Sequence, residues 1–295
     1  MDPGRIPSRA TLGVWARPGP QIEGTARRYG RPVAVGLTIV LGVLAVVSFV
    51  TTVTGPFGAY LDYDRFHYVE AARRWLESGT PYLANEVAGP FVYSPGTFLH
   101  PPISLYLFTP FIVIPSIVWW VIPVSIVAGA ILYWRPAAWT WPILALIALW
   151  PRTAGVLIVG NSDLWIAAFV ALGLRWSWPA VLVVIKPSYL PLALIGARRR
   201  TWWTAAAVVL IVALPFGSLW SEWISVILHA STNASYSVPS LPLILAPIVA
   251  WIGRTRYSTR AAGPSPAPAP ARSSSTMRTT TATISASTSC RHTSR

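Results

Sequence analysis

The sequence has very few of the residues that build sites in soluble proteins. Among its 295 residues there is one cysteine, Cys290, which excludes an intramolecular disulfide and a four-cysteine zinc site. There is one lysine, Lys186, and there are nine acidic residues in all. Charged residues make up 11% of the chain, against about 25% in a typical soluble domain. A soluble globular protein is therefore excluded, and carboxylate chemistry has few candidate residues.

What the chain has instead is hydrophobic sequence, which makes up 54% of its residues. The mean hydropathy is +0.53. The first apolar run, residues 33–54, is longer than a signal-peptide core and has no small-residue cleavage pattern behind it, so we predict a retained membrane span. The composition predicts an all-α, polytopic membrane protein.

Eight apolar runs predict about eight transmembrane or partial helices: 33–54, 102–114, 116–134, 137–150, 154–174, 176–196, 202–219 and 239–253. Two of them, 102–114 and 137–150, are shorter than the roughly 20 residues of a full span. They are predicted as re-entrant or tilted partial helices, and six or seven crossings is the alternative count. Prolines crowd this region, so kinked and broken helices are expected there.

The net charge of +14 is distributed unevenly. Residues 1–32 carry six arginines and two acids, and residues 254–295 carry seven arginines and no acid. The loop 55–101 carries three arginines and five acids. Basic flanks stay on the cytoplasmic side, so both termini are predicted inside and the acidic loop outside. Because the arginines flank membrane segments, the charge indicates a membrane and not a nucleic-acid partner.

Three regions follow from these patterns. Residues 1–32 form a basic cytoplasmic segment, and residues 33–253 form the membrane domain with its external loop 55–101. Residues 254–295 form a basic tail rich in Ser, Thr, Pro and Ala. The tail has too few apolar residues to offset the entropy of ordering it, so it is predicted to be disordered.

The external loop predicts a short helix over residues 64–78. Its apolar residues recur at intervals of three and four and make one face: Phe66, Val69, Ala72 and Leu76. Gly79 is predicted to end the helix, and Pro81 prevents its resumption. We expect the helix to lie along the membrane surface.

Two carboxylates, Asp62 and Asp64, come at the start of this helix. A carboxylate there is able to accept backbone N–H bonds and to complement the helix dipole. A carboxylate at a membrane surface is also able to act as a catalytic base. On the residues alone, capping and catalysis are equally good interpretations of either one.

A second polar group lies inside the hydrophobic sequence. Asn161 and Asp163 fall midway along the run 154–174, and Lys186 falls midway along the next run. In a hairpin that turns near Arg175, Asp163 and Lys186 both lie roughly 17 Å from the turn. The spacing therefore predicts an ion pair, either structural or part of a functional polar site facing a cavity.

Several motifs follow one another in a recognisable order: Asp64 to Tyr68, residues 71–82 (AARRWLESGTPY), His100-Pro101-Pro102, Gly160-Asn161, Lys186-Pro187 and the basic turn 198–200. Over residues 33–230 the chain resembles glycosyltransferase family 87. These are membrane mannosyltransferases of the GT-C superfamily that use polyprenyl-phosphate mannose. The resemblance implies a GT-C-like fold, a hexosyltransferase of this kind, and inverting transfer of mannose to a lipid-linked or glycan acceptor.

By position, the resemblance implies that Asp64 is the general base, with Asp62 as the second candidate. The acceptor hydroxyl loses its proton as it attacks, and one carboxylate suffices for a single inverting displacement. The departing phosphodiester needs positive charge or N–H donors, for which Lys186 is the first candidate and Arg152 a further one. The remaining candidates for donor binding are Tyr68, His100, Asn161, Asp163 and Arg65. We predict no metal ligands and no cofactor, because a lipid-phosphate donor makes a divalent metal optional.

The expected partners are a polyprenyl-phosphate sugar donor, a lipid or glycan acceptor, and the membrane. The expected location is the plasma membrane within a cell envelope, with the active site on the extracytoplasmic face. Two alternatives stay open. The first is a non-enzymatic transporter or binder of polyprenyl-phosphate lipids that uses the Asp163–Lys186 pocket, although no repeat of spans is present to support it. The second is an inactive, C-terminally truncated paralogue.

Overall fold

The computed structural model describes residues 20–92, 94, 96–230 and 240–255, with side chains from residue 30 onward. The predicted basic segment before residue 20 and the predicted disordered tail beyond residue 255 lie outside these residues. The described part is mostly helical and contains no β-strand. The all-α class is therefore confirmed for the part of the chain that is described.

Within those ranges the α-helices, in chain order, are α1 (Pro20–Thr54), α2 (Tyr63–Ser78), α3 (Ala84–Ala88), α4 (Leu105–Phe108), α5 (Ile117–Trp134), α6 (Thr140–Leu149), α7 (Pro151–Val159), α8 (Asp163–Trp176), α9 (Leu190–Ala193), α10 (Arg200–Ala213), α11 (Leu219–His229) and α12 (Leu241–Ile252). Short 3₁₀ segments extend or connect them: Pro56–Tyr60, Pro102–Ser104, Thr109–Ile112, Trp178–Ile185, Pro187–Tyr189 and Leu214–Phe216. Many of these segments begin at or next to a proline, which has no N–H for a helical bond.

Two helices of the described chain are long and apolar enough to cross a membrane, Gly30–Thr54 of α1 and Ile117–Trp134 of α5. Two further pairs pass the same test together but are bent, α6 with α7 by 61° and Arg200–Phe216 with α11 by 91°. The described residues thus provide two to four candidate spans, fewer than the eight crossings predicted.

The predicted spans 154–174 and 176–196 are not single helices, because both are interrupted. Gly160 has a left-handed backbone with φ of 70° and ends α7, and α8 starts at Asp163. Lys186 has an extended backbone, with φ of −135° and ψ of 90°, between two 3₁₀ segments. Pro187 follows it and has no N–H to continue a helix. Lys186 therefore lies at a break between helical segments.

The predicted loop helix is present as α2 and ends at Gly79, whose φ of 84° favours glycine. Its predicted apolar face is only partly right, since Phe66 and Leu76 are 52% and 59% exposed. The buried residues are His67, Tyr68, Val69, Ala71 and Ala72. The buried face is rotated relative to the predicted one, because α2 packs on α4 and on the 3₁₀ segment after it. The side of α2 that carries Tyr68 therefore faces the protein.

An aromatic cluster forms the core beneath α2. Tyr68 stacks on Phe108 with ring centroids 4.7 Å apart, and Phe108 lies 5.8 Å from Trp119. Trp119 is fully buried and lies 5.5 Å from Trp165 of α8. Burial of such large rings supplies much apolar area. The cluster therefore holds α2, α5 and α8 together around the break between α7 and α8.

Candidate functional site

The candidate site is built on residues 160–163, between the end of α7 and the start of α8. A helix end leaves backbone carbonyls without partners. Here the indole of Trp119 donates to the Gly160 carbonyl at 2.9 Å, and the indole of Trp120 donates to the Leu157 carbonyl at 2.6 Å. The Asp62 amide donates to the Ile158 carbonyl at 2.9 Å. Residues of α5 and the start of α2 thus donate hydrogen bonds to the backbone carbonyls at the end of α7. These bonds bring α2 against the break.

A chain of hydrogen bonds connects four polar side chains at this break. Asn161 donates through Nδ2 to Oδ2 of Asp64 at 2.5 Å. Its Oδ1 accepts from Nζ of Lys186 at 3.0 Å and from the Asp163 amide at 3.0 Å. Lys186 also donates to Oδ1 of Asp163 at 2.5 Å. Asn161 therefore connects the loop carboxylate Asp64 to the buried ion pair.

The Asp163–Lys186 ion pair predicted from equal depth is present. Asp163 is buried and the Lys186 side chain is 15% exposed. The position of Asp163 differs from the prediction, because it lies at the N-terminus of α8 and not midway along a span. A carboxylate there is favoured by the helix dipole. Lys186 bonds both the Asp163 carboxylate and the Asn161 side chain, so the pair is connected to Asp64 through that amide.

Asp64 is half-buried in the first turn of α2. Burial raises the pKa of its carboxyl, while the hydrogen bond from Asn161 and the charge of Lys186 oppose the rise. Neither carboxylate caps the helix. Asp62 is the residue before the first turn, has φ of 68° and makes no side-chain capping bond. The capping interpretation is therefore wrong for Asp62, which is held by another partner.

That partner is Arg65, whose guanidinium donates from two nitrogens to the two carboxylate oxygens of Asp62. Arg65 lines a cavity of about 300 Å³ on its own side of α2, together with Glu70 and Arg73. Glu70 and Arg73 form a second ion pair at 2.9 Å. The structure therefore places Asp62 and Arg65 in a charged surface cluster that Asp64 does not join.

Asp64 instead lines a larger cavity of about 560 Å³, together with Asn161 and Arg152. One wall is a stripe of α7 with helical spacing: Arg152, Gly155, Val156 and Val159. The opposite wall includes Thr52 of α1 and Phe57. Arg152 is exposed and forms no ion pair with any described residue. The cavity thus has a carboxylate near one end of α7 and a guanidinium near the other, about 10 Å apart along the helix axis.

Tyr68 and His100 support the site and do not line this cavity. His100 is buried, and burial together with the Lys186 charge lowers its pKa to about 3, so the ring is neutral. Its Nδ1 donates to the Ile185 carbonyl at 3.1 Å, which leaves Nε2 to accept from the Ser162 hydroxyl at 3.3 Å. Tyr68 presents its ring edge-on to His100 at 4.9 Å. The Tyr68–His100 ring pair packs under residues 160–163. Through its two hydrogen bonds, His100 connects this break to the segment that ends at Ile185.

Two features of the site were not predicted from the sequence or were given too little importance. Arg152 was predicted only as a further candidate, yet among the candidate donor-binding cations it is the one that shares a cavity with Asp64. The indole bonds from Trp119 and Trp120 were not expected, although adjacent tryptophans opposite a Gly-Asn break offered a signal. Among the described residues, no three His, Cys, Asp or Glu side chains converge as metal ligands.

No protein-family model, no curated protein and no solved structure matches the chain. The resemblance to glycosyltransferase family 87 therefore depends on the motifs given above.

Proposed function

We propose that this protein is a membrane glycosyltransferase that moves a sugar from a polyprenyl-phosphate donor to an acceptor hydroxyl. The observation that carries the proposal is that Asp64 and Arg152 line one cavity. The reaction needs a base for the acceptor proton and a positive charge for the departing phosphate. The family resemblance names mannose as the sugar and a lipid-linked or glycan molecule as the acceptor.

The transfer is a single displacement at the anomeric carbon. The acceptor oxygen forms the new bond to that carbon while its proton passes to the Asp64 carboxylate. The bond between the anomeric carbon and the phosphate oxygen breaks, and the polyprenyl phosphate leaves with the electron pair. Arg152 offsets the negative charge that develops on that phosphate, and attack from the opposite face inverts the configuration.

The surroundings of Asp64 suit a general base. The Asn161 bond holds one carboxylate oxygen and leaves the other for the acceptor proton. Burial raises the pKa of Asp64 and so makes the ionised carboxylate a stronger base. Asn161 is in turn held by Lys186, so its side-chain orientation is determined from both sides. Asn161 and Lys186 are positioning residues in this scheme, which replaces the direct phosphate contact expected of Lys186.

The location of the cavity supports a lipid-borne donor. Thr52, close to the C-terminal end of the candidate span α1, forms part of its wall. Most of the large apolar residues of α1 are exposed, which suits a helix in contact with lipid. A polyprenyl chain in the bilayer beside α1 is able to deliver its phosphate to Arg152. The positive-inside rule predicts that this end lies at the extracytoplasmic face.

The proposal is tested with membranes that contain the protein, radiolabelled polyprenyl-phosphate mannose and extracted lipid acceptors. Asp64→Asn is expected to lower transfer by about 10²–10⁴-fold while donor binding persists. Arg152→Gln is expected to weaken both donor binding and transfer. Donor binding by the unaltered protein with no transfer to any acceptor would favour the alternative of a non-enzymatic lipid binder. Full activity of Asp64→Asn would exclude Asp64 as the base.

A further inference from the structure

A second cavity, an apolar groove of about 340 Å³, lies between α5 and α8. Small residues form part of its walls, among them Gly129 and Ala130 of α5 and Ala171 of α8. A Cβ added at Gly129 would meet no atom within 4 Å. The groove is therefore lined by hydrocarbon and has the space to accept more of it.

The groove lies at the far end of α5 and α8 from Asp64. Trp119, near the start of α5, donates to Gly160 beside the Asp64 cavity. Tyr133 and Trp134, at the other end of α5, line the groove. The 18 residues of α5 span about 27 Å, close to the roughly 30 Å thickness of a bilayer core. The two cavities thus lie at opposite membrane surfaces, and the charge distribution predicts that the groove is on the cytoplasmic side.

An arginine lies at the mouth of this groove and has no carboxylate partner among the described residues. Arg175 lies in the last turn of α8, with its guanidinium 5.5 Å from the Tyr133 ring and 5.8 Å from the Trp176 ring. It forms no ion pair with any described residue. After Glu86 the sequence holds just two carboxylates, Asp163 and Glu222. The first is paired with Lys186 and the second accepts from Thr80 of the external loop, so neither neutralises Arg175.

We propose that the groove binds one anionic glycerophospholipid, with an acyl chain between α5 and α8 and the phosphate on Arg175. The apolar walls match the methylene chain, and a guanidinium binds phosphate through two parallel N–H donors. Tyr133 and Trp176 lie where aromatic residues favour the membrane–water interface. Arg135 and Arg254 lie at the same end, since Pro136 pairs with Arg254 in an isolated bridge. The site therefore selects a lipid of negative net charge, independently of any glycosyl transfer.

The experiment measures lipid binding to the full-length protein in detergent by native mass spectrometry. Phosphatidylglycerol is compared with phosphatidylcholine, which carries the same acyl chains and no net charge. We expect phosphatidylglycerol to bind more tightly. Arg175→Gln is expected to weaken its binding by about fivefold, and Arg198→Gln, which removes an equal charge from an exposed position in the basic turn, is the matched control.

A second variant tests the acyl-chain part of the site. Gly129→Leu fills the groove and keeps Arg175, so it is expected to weaken phosphatidylglycerol binding at least as much. Its control is Gly42→Leu on α1. An added Cβ at Gly42 also meets no atom within 4 Å. Equal binding of the two lipids, or unchanged binding in Arg175→Gln or in Gly129→Leu, would overturn the proposal. A loss of dimers in Gly129→Leu with unchanged lipid binding would assign the groove to a second copy of the chain.

Discussion

Asp62 and Asp64 lie one residue apart at the start of α2, but they belong to different regions of the molecule. Asp62 is neutralised by two bonds from Arg65, which lines a cavity of about 300 Å³ together with Glu70 and Arg73. Asp64 is held by an uncharged amide, is half-buried and lines a cavity of about 560 Å³. Both oxygens of the Asp62 carboxylate are bonded to Arg65, whereas Asn161 bonds one oxygen of Asp64, and burial raises the pKa of the Asp64 carboxyl. The partner of each carboxylate, and not its position in the sequence, therefore separates a structural acid from a candidate base.

A large difference between the two is expected when each carboxylate is moved by one methylene. Asp64→Glu keeps the charge but displaces the oxygens by about 1 Å, which is expected to lower kcat by about 10²-fold. Asp62→Glu still reaches Arg65 and is expected to retain most activity. Steady-state transfer kinetics on the two variants measure this. Equal losses would mean that the two carboxylates act as one unit.

A smaller loss is expected when the amide that holds Asp64 is removed. Asn161→Ala is expected to lower kcat by about tenfold, because the carboxylate loses its orientation. The Asn161 hydrogen bond opposes the rise in the pKa of Asp64, so its loss raises that pKa further. The acidic limb of the pH–rate profile is therefore expected to move to higher pH. Asn85→Ala, an exposed position on α3, is the control and is expected to change neither.

Narrowing the Asp64 cavity is expected to weaken the binding of the donor. A side chain at Gly155 would grow toward the Phe57 ring, whose nearest atom lies 3.7 Å from an added Cβ. Alanine therefore fits, and Gly155→Leu is expected to raise the KM for the donor several-fold with a smaller effect on kcat. At Gly36 on α1 an added Cβ meets no atom within 4 Å, so Gly36→Leu serves as the control. An unchanged KM in Gly155→Leu would show that the donor does not occupy this cavity.

The smallest effect is expected on thermal stability. At pH 8 the replacement of Asp64 is expected to raise the Tm, and the replacement of Asp62 is expected to lower it. Burial raises the pKa of Asp64 above its unfolded value, so its contribution to stability is present at low pH and is lost as pH rises through the folded pKa. Asp64→Asn cannot ionise and is expected to have a higher Tm than the unaltered protein at pH 8, with the difference shrinking toward pH 4. Asp62→Asn loses an ion pair and is expected to have a slightly lower Tm at pH 8. A lower Tm for Asp64→Asn at pH 8 would contradict the raised pKa.

The features that were predictable from sequence depend on local spacing. Helix α2 and its end at Gly79 follow from apolar periodicity and from a glycine with a left-handed backbone. The Asp163–Lys186 pair follows from equal depth on two adjacent segments. The number of spans was not predictable, because hydropathy does not register the breaks at Gly160 and Lys186. These breaks divide two apolar runs that were counted as crossings.

The partners of the two loop carboxylates were not predictable for a different reason. Asn161 lies 97 residues from Asp64, and it reaches that carboxylate because Trp119 and the Asp62 backbone hold the end of α7 against α2. The pairing of Asp62 with Arg65 is local, but helical spacing allows it without requiring it. Arg152, which also lines the Asp64 cavity, lies just after the 61° bend between α6 and α7. The contacts made by Asn161 and the position of Arg152 therefore depend on tertiary packing.

The central claim, that Asp64 is the base and Asp62 is not, is tested most directly by comparing Asp64→Asn with Asp62→Asn in one transfer assay. Both variants are measured at saturating donor, with donor binding followed in parallel. We expect Asp64→Asn to bind the donor and to lose about 10²–10⁴-fold in transfer, and Asp62→Asn to keep activity within a few-fold. Equal transfer by Asp64→Asn and the unaltered protein, or a loss confined to Asp62→Asn, would contradict the account.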